Sequence, residues 1–190
     1  MLTDRFVEAV DYAVELHRTQ VRKATSIPYV THLFAVCSLV LEDGGTEDEA
    51  IAALLHDGPE DQGGEPVLEE ITSRFGMEVG EMVEALSDAM PAAGDAKAPW
   101  RFRKEAYLGR LREAPPSVLR ISLADKLHNA RSILVDLQAD GETVWQRFNA
   151  GRPDQAWYYG ELLRIFEERL LASRNLPEFR RIVGDLFGAG

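Results

Sequence analysis

Two histidines and two aspartates carry most of the chemical interest in this chain. His56 and Asp57 are adjacent at the end of the apolar run EAIAALLHD, His32 lies within YVTHLFAVCSLVL, and Asp125 lies within LRISLADKLHN. Imidazole nitrogen and carboxylate oxygen together suit borderline or hard divalent ions such as manganese, iron, zinc or magnesium. Cys37 is the single cysteine, so a thiolate cluster is excluded. Neighbouring residues on a helix point about 100° apart, so His56 and Asp57 converge on one ion only near a helix end. Gly58-Pro59 supplies that end. An unpaired carboxylate at position 125, among leucine, isoleucine and alanine, would be costly to bury. Taken one at a time, each residue has an ordinary explanation. A lone helical histidine such as His17, His32 or His128 is usually a hydrogen-bonded core or surface residue, and Asp125 can pair with Lys126 or Arg131. The joint pattern is what singles out the four.

Apolar residues recur at three- and four-residue spacing with no run of strict alternation, which predicts an all-α fold. A first helix is expected over residues 3–19 and a second, opened by Pro28, over Tyr29 to Glu42, ended by Gly44-Gly45. Thr46 with Glu49 is a capping-box pair that opens the helix ending at His56-Asp57. After the break at Gly58-Pro59, EDQGG reads as a turn. Helices follow at 65–75, 76–90 and 100–113, with an exposed loop at 90–99. Pro115-Pro116-Ser117 starts a long helix ending near Gly141. A short helix at 142–149, a break at GRP, a helix from Asp154 to Ser173 and a last one at 177–187 complete the chain. The expected architecture is a single-domain bundle of eight to ten helices over residues 1–190.

The 190 residues suit one domain with a sizeable core, and 45% hydrophobic with 28% charged content is globular rather than disordered. No apolar run reaches bilayer-spanning length and the N-terminus is amphipathic and acidic, so a soluble, cytoplasmic protein without a membrane partner is expected. A net charge of −11 argues against a broad basic face for nucleic acid. An anionic ligand would need a local cluster of cations, and a divalent ion is a direct way to create one.

The order His, His-Asp, then a distant helical Asp resembles the HD phosphohydrolase superfamily. More closely, the chain resembles the small alarmone hydrolases, stand-alone versions of the hydrolase half of the Rel/Spo stringent-response enzymes. The resemblance rests on VRKATSIPYVTH at 21–32, AALLHDGPED at 52–61, ALSDAM at 85–90 and SLADKLHNAR at 122–131, within a stretch of roughly residues 5 to 165. It implies a manganese-dependent hydrolase that removes pyrophosphate from the 3′ position of guanosine 3′,5′-bis(diphosphate), ppGpp, or its pentaphosphate analogue. It makes His32, His56, Asp57 and Asp125 the metal ligands, and Glu60 and Asp61 the acidic pair that orients or deprotonates the attacking water. It assigns Arg22 and Lys23 to guanine and phosphate, and Asn129 to the nucleoside. Arg101, Arg103 and Lys104 fall to the 5′-phosphates, and Tyr158 or Tyr159 to the pocket wall.

The chain departs from the family pattern in two places. Gly58-Pro59 stands where a threonine or alanine and then an aliphatic residue are usual, and Gln62-Gly63-Gly64 replaces a threonine-rich continuation. Both flank Glu60 and Asp61, so they bear on substrate rather than on ligation. A nucleotidase or other phosphomonoesterase, and a non-catalytic nucleotide sensor, are the competing readings. A helical interaction protein without a pocket leaves unexplained why two His and two Asp residues fall in helices otherwise rich in alanine, leucine and valine. A homo-oligomer is left open.

Overall fold

The computed structural model describes residues 1–87 and 98–188. Most of the loop expected at 90–99, and the end of the ALSDAM segment, lie outside them. Among the described residues all regular structure is helical apart from one isolated bridge, Val21 with Pro28. By chain contacts the molecule divides into two units, Met1–Ala98 and Pro99–Gly190.

The first unit holds α1 (Asp4–Leu16), α2 (Val30–Glu42), α3 (Glu47–Leu55), α4 (Gly58–Gln62), α5 (Glu65–Phe75) and α6 (Met77–Leu86). Its centre is α3. Every residue from Glu49 to Leu55 is buried, as expected of a helix apolar on all sides, and α1, α2, α5 and α6 pack around it. The capping box is present: Thr46 N–H donates to Glu49 Oε2 at 2.6 Å, and Glu49 N–H donates to Thr46 Oγ1 at 3.3 Å. Helix α1 is capped by Thr3 and buries Ala9, Tyr12 and Ala13. Helix α2 stops at Gly44-Gly45, where Gly44 takes φ +81° and a Cβ on Gly45 would fall 2.6 Å from a methyl of Val40.

The turn expected after His56-Asp57 is instead the short helix α4. Pro59 does end α3, but it also sits in the first turn of α4, where a missing N–H costs nothing. The helix expected to reach residue 90 ends at Leu86, with Ser87 in extended conformation.

The second unit holds α7 (Trp100–Glu113), α8 (Pro116–Asp140), a 3₁₀ segment (Gly141–Arg147), α9 (Arg152–Arg169) and α10 (Leu176–Phe187). Helix α8 is its spine and packs on α9, α10 and the 3₁₀ segment. The short helix expected at 142–149 is that 3₁₀ segment. The break expected at GRP is the start of α9, with Pro153 in its first turn, and α9 ends at Arg169 rather than at Ser173. Leu162, Phe166, Phe179, Ile182 and Leu186 of α9 and α10 are buried.

Candidate metal centre

The junction of α3 and α4 makes the centre. His56 closes α3 and Asp57 is the residue before α4, so the two side chains leave the end of one helix and the start of another. The carboxylate of Asp57 makes no capping hydrogen bond to α4. Its Oδ2 lies 3.0 Å from His56 Nε2 and 3.6 Å from His32 Nε2. His32 is buried on the first turn of α2, and its ring centroid is 5.4 Å from that of His56. One ligand atom from each of His32, His56 and Asp57 falls within 4.8 Å of the others. Such spacing suits donors that share an ion at bonds of about 2.0–2.2 Å.

The donor chemistry fits as well. His56 Nδ1 is 2.9 Å from the carbonyl of Ala53, which only accepts, so Nδ1 carries a proton and Nε2 is the ring nitrogen turned toward Asp57. Burial opposes ionisation of Asp57. His56 first and then His32 outweigh it, and its carboxyl is held well below the ordinary range. A carboxylate kept ionised beside two imidazoles is a site made for a cation. His32, His56 and Asp57 are therefore the residues of this unit that would hold a divalent metal.

One turn further on, Glu60 and Asp61 occupy the first turn of α4. Asp61 is an exposed residue whose carboxylate is engaged by Gln20: Gln20 Nε2 donates to Asp61 Oδ2 at 2.8 Å. Partial desolvation of that carboxyl, with the negative charge of Asp57 second, pushes its pKa up, and the Gln20 bond offsets part of the rise. Asp57 and Asp61, four residues apart, are thus driven in opposite directions, the pattern that separates a permanent anion from a proton acceptor. Gln20 is itself fixed, since its Oε1 accepts from His17 Nδ1 at 2.7 Å and from Gln62 Nε2. Gln62 belongs to the stretch that departs from the family pattern. Here it braces the glutamine that holds Asp61.

The link between α1 and α2 folds back on itself. Arg22 N–H donates to the carbonyl of Ile27 at 2.8 Å, and Ala24 takes φ +60° at the tip. The Arg22 guanidinium is 5.9 Å from the centroid of the Tyr29 ring, and Lys23 is exposed beside it. Tyr29 O–H donates to Asp57 Oδ2 at 2.6 Å. Neither Tyr29 nor Gln20 was among the residues expected from sequence to matter. The available signal was Tyr29 three residues before His32, which puts both on one helix face.

Within the second unit, Asp125 is buried on α8 and both its oxygens are engaged from the same helix. Lys126 Nζ lies 2.5 Å from Oδ2 and Asn129 Nδ2 donates to Oδ1 at 2.6 Å. Burial opposes the charge of Lys126, but Asp125 outweighs it and holds the ammonium well above its usual range. Of the two ion-pair partners open to Asp125 from sequence, Lys126 is the one found; Arg131 instead binds Glu178 through two hydrogen bonds, at 2.9 and 2.6 Å. On α7, Arg103 and Lys104 are half-buried, Lys104 Nζ lies 5.1 Å from the Tyr158 ring centroid, and Arg101 stacks on Trp157. Of Tyr158 and Tyr159, Tyr158 is the one beside Lys104. Tyr159 packs against Phe179 and Phe187.

The HD domain family matches residues 9–156. The chain belongs to the HD-domain family. Over 130 residues this HD-domain chain is 34% identical to the guanosine-3′,5′-bis(diphosphate) 3′-pyrophosphohydrolase of Xenopus tropicalis, a match covering 67% of this chain and 68% of that protein. It is 34% identical over 125 residues to a probable GTP pyrophosphokinase of Mycobacterium leprae, covering 66% of this chain and 15% of that protein. A guanosine-3′,5′-bis(diphosphate) 3′-pyrophosphohydrolase of Aquifex aeolicus is 33% identical over 127 residues, covering 67% of this chain and 17% of its own length. The HD-domain chain thus spans most of the first relative and only a small part of the two long ones. Among solved structures, a metazoan ortholog of SpoT that hydrolyses ppGpp shares the fold, with a TM-score of 0.76 at 24% identity, over 100% of this chain and 99% of that one. A Listeria monocytogenes EGD-e protein matches with a TM-score of 0.71 at 26% identity, over 83% and 99% of the two chains. No helix among the described residues is long and apolar enough to cross a membrane.

Proposed function

We propose that this chain is a metal-dependent hydrolase of ppGpp that cleaves the bond between the ribose 3′-oxygen and the pyrophosphoryl group, with water, to give GDP and pyrophosphate. The observation that carries this reading is the buried His32–His56–Asp57 cluster, with Asp61 poised oppositely to Asp57 on the next turn. Identity of 34% to a 3′-pyrophosphohydrolase over most of both chains supports the substrate class.

His32, His56 and Asp57 are the ligands in this reading, with Asp125 as the fourth by family resemblance and manganese as the preferred ion. A divalent ion bound there acidifies water and offsets phosphate charge. Asp61, whose carboxyl is pushed up, takes the proton of the attacking water, and Gln20 keeps it oriented. Glu60 shares that turn and helps place the water. Arg22 and Lys23 bind the guanine and neighbouring phosphate, and Arg103 and Lys104 take the 5′-phosphates, with Tyr158 beside them. Asn129, which donates to Asp125, orients that carboxylate in addition to the nucleoside contact given by resemblance.

The family match runs from residue 9 to 156, through both compact units, which supports reading the chain as one HD-type domain; a cytoplasmic location belongs to the same proposal. Product analysis tests the reaction. Purified protein with manganese and ppGpp is expected to release GDP and pyrophosphate in equal amounts. Orthophosphate without pyrophosphate would favour a phosphomonoesterase, and tight binding without turnover a sensor; either would overturn the reading.

A further inference from the structure

The hydroxyl of Tyr29 touches a proposed ligand atom, and the proposed reaction leaves it without a role. It donates to Asp57 Oδ2 at 2.6 Å, the short distance of a hydrogen bond to an ionised acceptor. An aspartate carboxylate turns about a broad, two-fold torsion, so a backbone position alone does not fix where its oxygens point. Asp57 also lacks the capping bond that would otherwise anchor it to α4. Something else has to hold it.

Tyr29 is built to do so. Its N–H donates to the carbonyl of Gln20 at 2.9 Å, and its ring stacks on the buried His17 ring, with centroids 5.3 Å apart and planes 18° apart. The other side of the constraint is the His32 ring, met edge-on at 5.6 Å. One turn at the start of α2 therefore supplies an imidazole and, three residues earlier, the donor that aims the carboxylate facing it. We propose that Tyr29 is a positioning residue for the metal centre: its hydroxyl sets the direction of Asp57, and the His17 stack sets the direction of the hydroxyl. This rests on the proposed metal-dependent function. It adds a residue whose effect is on metal affinity rather than on the reacting atoms.

The test is calorimetric titration of the metal-stripped full chain with manganese chloride. Tyr29→Phe keeps the ring and its stack and deletes only the donor. It is expected to weaken manganese binding by about 10- to 100-fold, as loss of a group that orients a ligand does. The thermal midpoint of its stripped form is expected to stay where wild type has it, and turnover to recover at saturating manganese. Thr31→Val removes a hydroxyl from the same turn that bonds only the carbonyl of Pro28 in this structure, and is expected to leave affinity unchanged. Equal affinity in Tyr29→Phe would overturn the proposal. So would an equal loss in Thr31→Val, or a loss accompanied by a lowered midpoint of the stripped protein, since both mark a structural role. Wild-type protein that binds manganese and releases no pyrophosphate would refute the proposed reaction instead, and the Tyr29 comparison would still be decided by the titration.

Discussion

At the scale of single residues, the proposed centre has two carboxylates one helical turn apart whose pKa values are pushed in opposite directions. Asp57 is kept ionised by His56 and His32, and Asp61 is pushed toward the protonated form by partial desolvation and by Asp57. If Asp61 is the proton acceptor, activity needs its ionised form. The raised pKa puts the titration of Asp61 in the metal-stripped protein above the ordinary carboxylate value of 3.8, and in the working enzyme kcat/KM is expected to rise with pH through an acid limb. Asp61→Asn is expected to cost about 10²- to 10⁴-fold in kcat and to abolish that limb. An acid limb that survives the substitution would remove Asp61 from this role. Gly58 gives a second check. Its nearest neighbours to an added Cβ, on Leu16, Val67 and Ile71, lie at 3.4–3.5 Å, ordinary contact, and its φ is not positive. Gly58→Ala is expected to fold normally and to keep manganese-dependent turnover. Loss of turnover in a folded variant would show that glycine itself is needed beside the centre.

At the scale of elements, α3 positions the centre, because its last turn leads directly into His56 and Asp57. Leu54, fully buried, sits two residues before His56. Leu54→Ala is expected to destabilise by about 2–5 kcal/mol, measured by urea unfolding, through lost transfer energy and the cavity left behind. A loss under about 1 kcal/mol, close to that of a surface change, would deny α3 its central place. Glu178 of α10 is pulled below its usual carboxylate value by Arg131 of α8, chiefly through its hydrogen bonds. A depressed acid contributes stability above its unfolded pKa and loses it as pH falls through the folded one. With the pair 38% and 39% exposed, Arg131→Ala is expected to cost only about 0.2–1 kcal/mol near neutral pH. That difference from wild type is expected to vanish in acid below the carboxylate range. A cost independent of pH would mean that packing, not charge, is what the arginine supplies.

Element scale is also where the sequence was most legible and where it misled. Thr46 and Glu49 announced α3 because a capping box is local chemistry, complete within four residues. Pro59 was legible only in part, since proline both stops one helix and starts another, and α4 hides behind that double use. His32, His56 and Asp57 stood out by type and order. The bonds that orient them did not. Tyr29 reaches Asp57 across 28 positions and Gln20 reaches Asp61 across 41, and no periodicity in the chain records such pairings. The pairing of Asp125 with Lys126, next in the chain, rather than with Arg131, six residues on, is likewise a choice that only packing decides.

At the scale of the whole molecule, a chain of net charge −11 is proposed to act on a highly anionic nucleotide. A divalent cation resolves that conflict, which makes the metal the centre of the account. It should also stabilise the fold, since an ion bound by the native state alone adds about 2.7 kcal/mol at one hundred times its dissociation constant. The most direct test is to strip the wild-type protein of metal, add manganese back in steps, and follow pyrophosphate release from ppGpp alongside ion binding. No release is expected from the stripped protein, and activity is expected to rise with occupancy of a site that is lost in His56→Ala. Full turnover by the stripped protein would contradict it.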